Sequence, residues 1–137
     1  GGATSSSDDI DGHSSVAIGN FVMEDVTTGS FNTGVGEQAL KQLTTGSSNI
    51  SLGYRAMYVH TTGGDNIAIG ANAMDDTDAG STSLSSSDNI FVGKSSGGGT
   101  WANSASNGNV GIGNYTMDAS MNGALYNKCL NCPYNTR

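Results

Sequence analysis

Asn66-Ile67-Ala68-Ile69-Gly70 is one of six copies of a pentapeptide, [N/S]-[V/I/T]-x-[V/I/L]-G, set along the chain. The others are Ser15-Val16-Ala17-Ile18-Gly19, Asn32-Thr33-Gly34-Val35-Gly36, Asn49-Ile50-Ser51-Leu52-Gly53, Asn89-Ile90-Phe91-Val92-Gly93 and Asn109-Val110-Gly111-Ile112-Gly113. The closing glycines are separated by 17, 17, 17, 23 and 20 residues. Other landmarks keep the same register. Four residues after the glycine stand Met23, Leu40, Met57, Met74 and Met117, with Gly97 as the exception. One position earlier come Val22, Ala39, Ala56 and Ala73, and ten residues after the glycine come Gly29, Gly46, Gly63 and Gly80. The first three of those close Thr-Thr-Gly turns.

Self-similarity at a fixed period is the signature of a repeat architecture. Within the pentapeptide, aliphatic positions two and four alternate with a different residue, the period-2 pattern of a short strand with one buried face. On that reading Ile67 and Ile69, and Ile50 and Leu52, are expected to point into the core. The Ala-Leu/Met pair is expected to form a second short buried element, and Thr-Thr-Gly a turn. One such unit cannot bury its own apolar face, so stacking must supply the core. No window sustains a 3.6 period for more than a turn, which excludes a helical repeat. The predicted fold is therefore all-β: a parallel β-roll or β-solenoid of 17-residue coils over residues 15–117, with insertions in 81–88 and 95–107. Residues 1–14 read as a lead-in and 118–137 as a C-terminal cap. The middle residues Ala17, Gly34, Ser51, Ala68 and Gly111 are small, with Phe91 the exception. If they face outward, they let another backbone approach closely, most simply about a three-fold axis.

Composition bounds the function. The 137 residues suffice for one modest domain. The net charge is −7 with five basic residues, which leaves no electrostatic footprint for nucleic acid. No stretch approaches the roughly 18 apolar residues of a membrane span, so no membrane insertion is expected. There is no signal-peptide pattern, and the leading Gly1-Gly2 reads as a processing start within a longer protein.

Asn66-Ile67-Ala68-Ile69-Gly70-Ala71-Asn72-Ala73-Met74 and Asn32-Thr33-Gly34-Val35-Gly36-Glu37-Gln38-Ala39-Leu40 resemble the repeats of YadA-like trimeric adhesin heads and of phage tail fibres. The adhesin-head repeat is shorter than 17 residues, so that match is one of motif; the fibre repeats match the Ala-Leu and Thr-Thr-Gly landmarks better. The resemblance implies a homotrimer, a location outside the cell, on its surface or on a virion fibre, and attachment to host or cell-surface polysaccharide. A narrower resemblance is to the C-terminal head of bacterial collagen-like adhesins, which bind sulfated glycosaminoglycans, although no Gly-X-Y segment is present here. The alternative is a structural shaft segment of a fibre with no ligand of its own.

The candidate glycan-binding residues are Lys41, Arg55, Lys94, Tyr54, Tyr58 and Trp101. Trimer symmetry would triplicate each cation into a local basic patch suited to a sulfated glycan. Trp101, the sole tryptophan, lies in the second insertion, as a sugar-stacking platform or as a cap on the core. His60 shares the register of Val26 and Leu43 and is placed either in the patch or partly buried. Cys129 and Cys132 are spaced C-x-x-C and are expected to form a disulfide, within or between chains; the alternative is a metal clustered by symmetry. Asp75-Asp76-Thr77-Asp78 and Asp8-Asp9-Ile10-Asp11 are carboxylate clusters without the spacing of an EF-hand. No catalytic motif is present, and His13 and His60 lie in different repeats. An enzyme would have to draw on Asp75, Asp76 and Asp118. No cofactor, metal or catalysis is expected.

Overall fold

A computed structural model of the chain describes residues 14–77, 85–101, 105–119 and 125–132. The Asp8–Asp11 cluster, His13, Asp78, the first half of the first insertion (81–84) and Arg137 lie outside the described residues.

Among the described residues, seven three-residue strands form one parallel sheet in chain order: β1 (Val16–Ile18), β2 (Thr33–Val35), β3 (Ile50–Leu52), β4 (Ile67–Ile69), β5 (Ile90–Val92), β6 (Val110–Ile112) and β7 (Lys128–Leu130). Each pentapeptide centre pairs with the next in unbroken register: Ala17, Gly34, Ser51, Ala68, Phe91, Gly111, Cys129. This is a β-solenoid of about six turns. Strand β7 lies in the stretch read as a cap. Asn127-Lys128-Cys129-Leu130 keeps the asparagine and the fourth-position aliphatic, but Lys128 and Asn131 replace the β-branched residue and the closing glycine. Among the described residues there is no helix, and so none long and apolar enough to cross a membrane.

The strands face the opposite way from the expectation. The middle residues point inward: Gly34, Ser51, Ala68, Phe91, Gly111 and Cys129 are buried. The flanking aliphatics point out, with Ile18 57% and Leu130 71% exposed. The reason is the thinness of the coil. The opposite wall already fills the interior with Val22, Met23, Leu40, Met57, Met74 and Met117. A Cβ added to Gly34 would lie 2.7 Å from Val22 Cγ1 and 3.1 Å from Met23 Cε. Two Val or Ile side chains per strand have no room there, so the inward position is small.

Tight corners are made by left-handed backbone. Every complete coil places non-glycine residues at φ of 50–64°: for example Asp65, Asn72 and Met74 around β4, and Ser48, Arg55 and Met57 around β3. Each costs about 1 kcal/mol, offset by main-chain hydrogen bonds to the next coil, such as Met57 N–H to the Ala73 carbonyl at 2.9 Å. The closing corner has φ near 126–139° at Gly19, Gly36, Gly53, Gly70, Gly93 and Gly113. There a Cβ on Gly53 would lie 2.5 Å from the Gly70 carbonyl oxygen, so glycines must stack on glycines.

A buried asparagine ladder runs beside the strands. Asn32, Asn49, Asn66, Asn89 and Asn109 are fully buried. Each side-chain amide from Asn49 onward donates to the Oδ1 of the asparagine in the preceding coil: Asn66 to Asn49 at 3.0 Å, Asn89 to Asn66 at 3.1 Å, Asn109 to Asn89 at 3.0 Å. The same Oδ1 accepts the main-chain N–H of the later residue, and Ser15 Oγ plays that part for Asn32. Stacked amides of this kind satisfy buried polar groups coil after coil.

Candidate functional site

The candidate site is the corner that follows the strands. In each coil the residues one, two and five positions after the closing glycine lie outside the core, while the two between them face inward. In the successive coils the second position holds Phe21, Gln38, Arg55, Asn72, Ser95 and Tyr115. The fifth holds Glu24, Lys41, Tyr58, Asp75, Gly98 and Asp118. Coils repeat every ~4.8 Å, so side chains of neighbouring coils touch along the solenoid axis.

The cations in this strip lie on aromatic rings. Arg55 Cζ is 4.2 Å from the centroid of the Tyr58 ring. Lys41 Nζ is 5.5 Å from the Phe21 centroid and 5.9 Å from that of Tyr58, and it forms an ion pair with Glu24 at 3.3 Å. Lys94 Nζ is 5.6 Å from the Tyr115 centroid. Cation–ring contacts of this reach hold the long side chains flat and leave ring edges and charges facing solvent. Phe21, Tyr54 and Tyr115 are each 41–49% exposed. The structure thus brings Lys41, Arg55 and Tyr58 together, sets Tyr54 in the same coil, and places Lys94 two coils further on. Arg55 is half-buried rather than exposed, with its Nε turned inside and unpaired.

Trp101 is not part of this surface. It is 3% exposed and meets Phe91 edge to face at 5.7 Å, so it caps the core and offers no face to a sugar. His60 is also inside: its Nδ1 pairs with Thr77 Oγ1 at 2.8 Å and its Nε2 with the Gly63 carbonyl at 3.0 Å.

Carboxylates share the strip with the cations. Burial pushes the Asp75 carboxyl up to about 6; Asp76 and Asp118 push the same way and Arg55 opposes them. Burial also raises Asp118. Asp76 accepts a hydrogen bond from Thr100 Oγ1 at 2.6 Å. Counting Glu24, Asp25 and Glu37 as well, the face is one of mixed charge rather than a plain basic patch. Among the described residues no group of three or more His, Cys, Asp or Glu is placed to hold a metal ion. Cys129 and Cys132 are joined within one chain, Cα to Cα 5.7 Å, with Cys129 on the inward side of β7.

The ring-on-cation pairing was missed by sequence reasoning, although its signal was present: Phe21, Lys41 and Tyr58 fall on adjacent coils when the chain is wrapped at its own period. No known protein family, curated protein or solved structure matches the chain.

Proposed function

We propose that this chain is a surface fibre or adhesin domain, acting outside the cell as a homotrimer, that binds a cell-surface glycan along its corner strip. The observation that carries the reading is the run of half-exposed rings bearing cations over neighbouring coils, with Arg55 on Tyr58 and Lys41 between Phe21 and Tyr58. Sugar rings present apolar C–H faces and polar rims, and aromatic faces beside fixed hydrogen-bond donors complement both.

The trimer draws support from the outer face of the sheet. Val16, Thr33, Ile50, Ile67, Ile90, Val110 and Lys128 form one outward column, and Ile18, Val35, Leu52, Ile69, Val92, Ile112 and Leu130 the other. A largely aliphatic face of this length, broken by Thr33 and Lys128, on a protein of net charge −7 marks an interaction surface. Its bumps recur with the coil spacing, which another copy of the same solenoid matches rung for rung.

A glycan array with salt titration tests the binding function: retention of at least one polysaccharide class is expected, and a blank array refutes it. Light scattering at micromolar concentration tests the assembly, with three chains expected and a clean monomer the opposing result. A structural shaft without a ligand is the second reading. It is favoured by the same aliphatic ladder, which serves assembly alone.

A further inference from the structure

We propose that Arg55 is the anion-receiving point of the corner strip, taking a sulfate or carboxylate of an anionic polysaccharide, and that Asp75 competes with the ligand for it. This rests on the glycan reading above and narrows it to one ligand class and one residue pair.

Three observations single out Arg55 among the cations. Lys41 is already neutralised by Glu24 at 3.3 Å, the one ion pair among the described residues. Lys94 is an exposed ammonium whose ring contact, 5.6 Å from the Tyr115 centroid, is looser than that of Arg55. Arg55 instead lies against the Tyr58 ring at 4.2 Å, a distance of close stacking, and its Nε is turned into the protein. That contact restrains the guanidinium, and Nε is the nitrogen of it that is buried without a partner. A held planar fork pairs with a sulfate or carboxylate through two hydrogen bonds, which a lysine cannot reproduce.

Asp75 occupies in the next coil the register that Tyr58 holds beneath it. The charged groups that act on it are Arg55, Asp76 and Asp118. Near neutral pH the Asp75 carboxylate offsets the Arg55 charge and repels an anionic ligand. Its carboxyl titrates at about 6, chiefly because it is buried, so mild acid removes that competitor. The sign follows: a bound anion favours protonated Asp75, so binding takes up a proton and affinity rises as pH falls through that value.

The experiment measures binding of heparin (sulfated), polygalacturonate (carboxylate only) and dextran (neutral) at about pH 5 and about pH 7.5. The proteins are the wild type, Asp75→Asn, Arg55→Lys and, as a control for loss of one carboxylate, Asp65→Asn, each first checked for wild-type circular dichroism. The wild type is expected to bind one or both polyanions about tenfold tighter at the lower pH, and dextran not measurably. Asp75→Asn is expected to bind at both pH values as tightly as the wild type does in acid, while Asp65→Asn keeps the wild-type profile. Arg55→Lys is expected to lose about tenfold or more. Which polyanion is retained separates a sulfate from a carboxylate ligand. Undiminished pH dependence in Asp75→Asn, or wild-type affinity in Arg55→Lys, overturns this inference and leaves the glycan reading standing. So does equal, pH-independent binding of dextran. Absence of all binding overturns both.

Discussion

The ring of Phe91 occupies the core space that a Met or Leu side chain fills in the neighbouring coils, and Gly97 is the residue that leaves it open. A Cβ built on Gly97 would lie 2.8 Å from Phe91 Cδ1. Gly97 sits in the methionine register and keeps its left-handed backbone, φ 64° against 50° at Met74 and Met117. The large inward residue and the missing methionine are thus one substitution made in two places. This predicts strong coupling. Phe91→Ala should cost about 3–5 kcal/mol, from the cavity. Gly97→Met should cost about 1–3 kcal/mol, from overpacking. The double variant Phe91→Ala/Gly97→Met restores the Ala68–Met74 pattern of the coil before it and should lie within about 2 kcal/mol of wild type. Urea unfolding of the four proteins checks this; additive losses in the double variant refute the compensation.

The asparagine ladder carries the second prediction. Asn66 donates to Asn49 Oδ1 at 3.0 Å and to the Ser86 carbonyl at 2.9 Å, while its Oδ1 accepts the main-chain and side-chain N–H groups of Asn89, each at 3.1 Å. Asn66→Ala strands several buried partners at once, and each orphan costs about 1–3 kcal/mol. We expect a loss of about 3 kcal/mol or more. Asn127 ends the described ladder and is exposed, so Asn127→Ala should cost under about 1 kcal/mol. Equal losses at the two positions, measured by denaturant unfolding, contradict an internal ladder.

The outward sheet face gives the third. Ile69 is 37% exposed on the aliphatic face, whereas Ala68 beside it is fully buried. The proposed trimer predicts that Ile69→Lys leaves the coil folded, with far-ultraviolet dichroism and melting close to wild type for an isolated chain, but reduces the particle in light scattering from three chains to one. Ala68→Lys should instead prevent folding, because an unpaired charge in that core has no partner. An assembled Ile69→Lys variant places the interface elsewhere.

The same pair shows what the residues disclose and what they withhold. The period is legible because each coil must have a glycine where backbones stack and an asparagine where amides stack, and both recur in the letters. The parity of the strands is not. A three-residue strand alternates whichever way it faces, and aliphatic flanks around a small centre suit either a wide coil facing in or a thin one facing out. What decides is the volume already taken by Met57 and Met74 from the opposite wall, which only the assembled coil displays. Strand β7 was hidden because Lys128 and Asn131 break the pentapeptide while the ladder bond from Asn127 to Asn109 persists at 3.1 Å. Trp101 could not be placed from its loop, since its burial depends on the Phe91 ring in the same turn of the solenoid. The grouping of Lys41, Arg55 and Tyr58 was half legible: the residues were named, but their stacking follows from the wrap.

The last prediction concerns pH and stability at Asp75. Its carboxyl titrates at about 6 in the folded chain against a reference of 3.8, chiefly through burial. A raised carboxylate pKa means that the fold disfavours the ionised form. The penalty is therefore absent below the reference value, develops between it and about 6, and is complete above. Wild-type stability should fall as pH rises through that window. Asp75→Asn removes the ionisation, and should stabilise the protein at about pH 7.5 by about 1 kcal/mol, the two-unit shift being discounted for a carboxyl that is only half buried. At about pH 3 the gain should vanish, because the wild-type side chain is then largely neutral both folded and unfolded. Thermal melts of both proteins at the two pH values test the sign. A variant destabilised at neutral pH would mean that attraction to Arg55 outweighs burial and repulsion by Asp76 and Asp118, and with that balance reversed Asp75 would be anchoring Arg55 instead of competing for it.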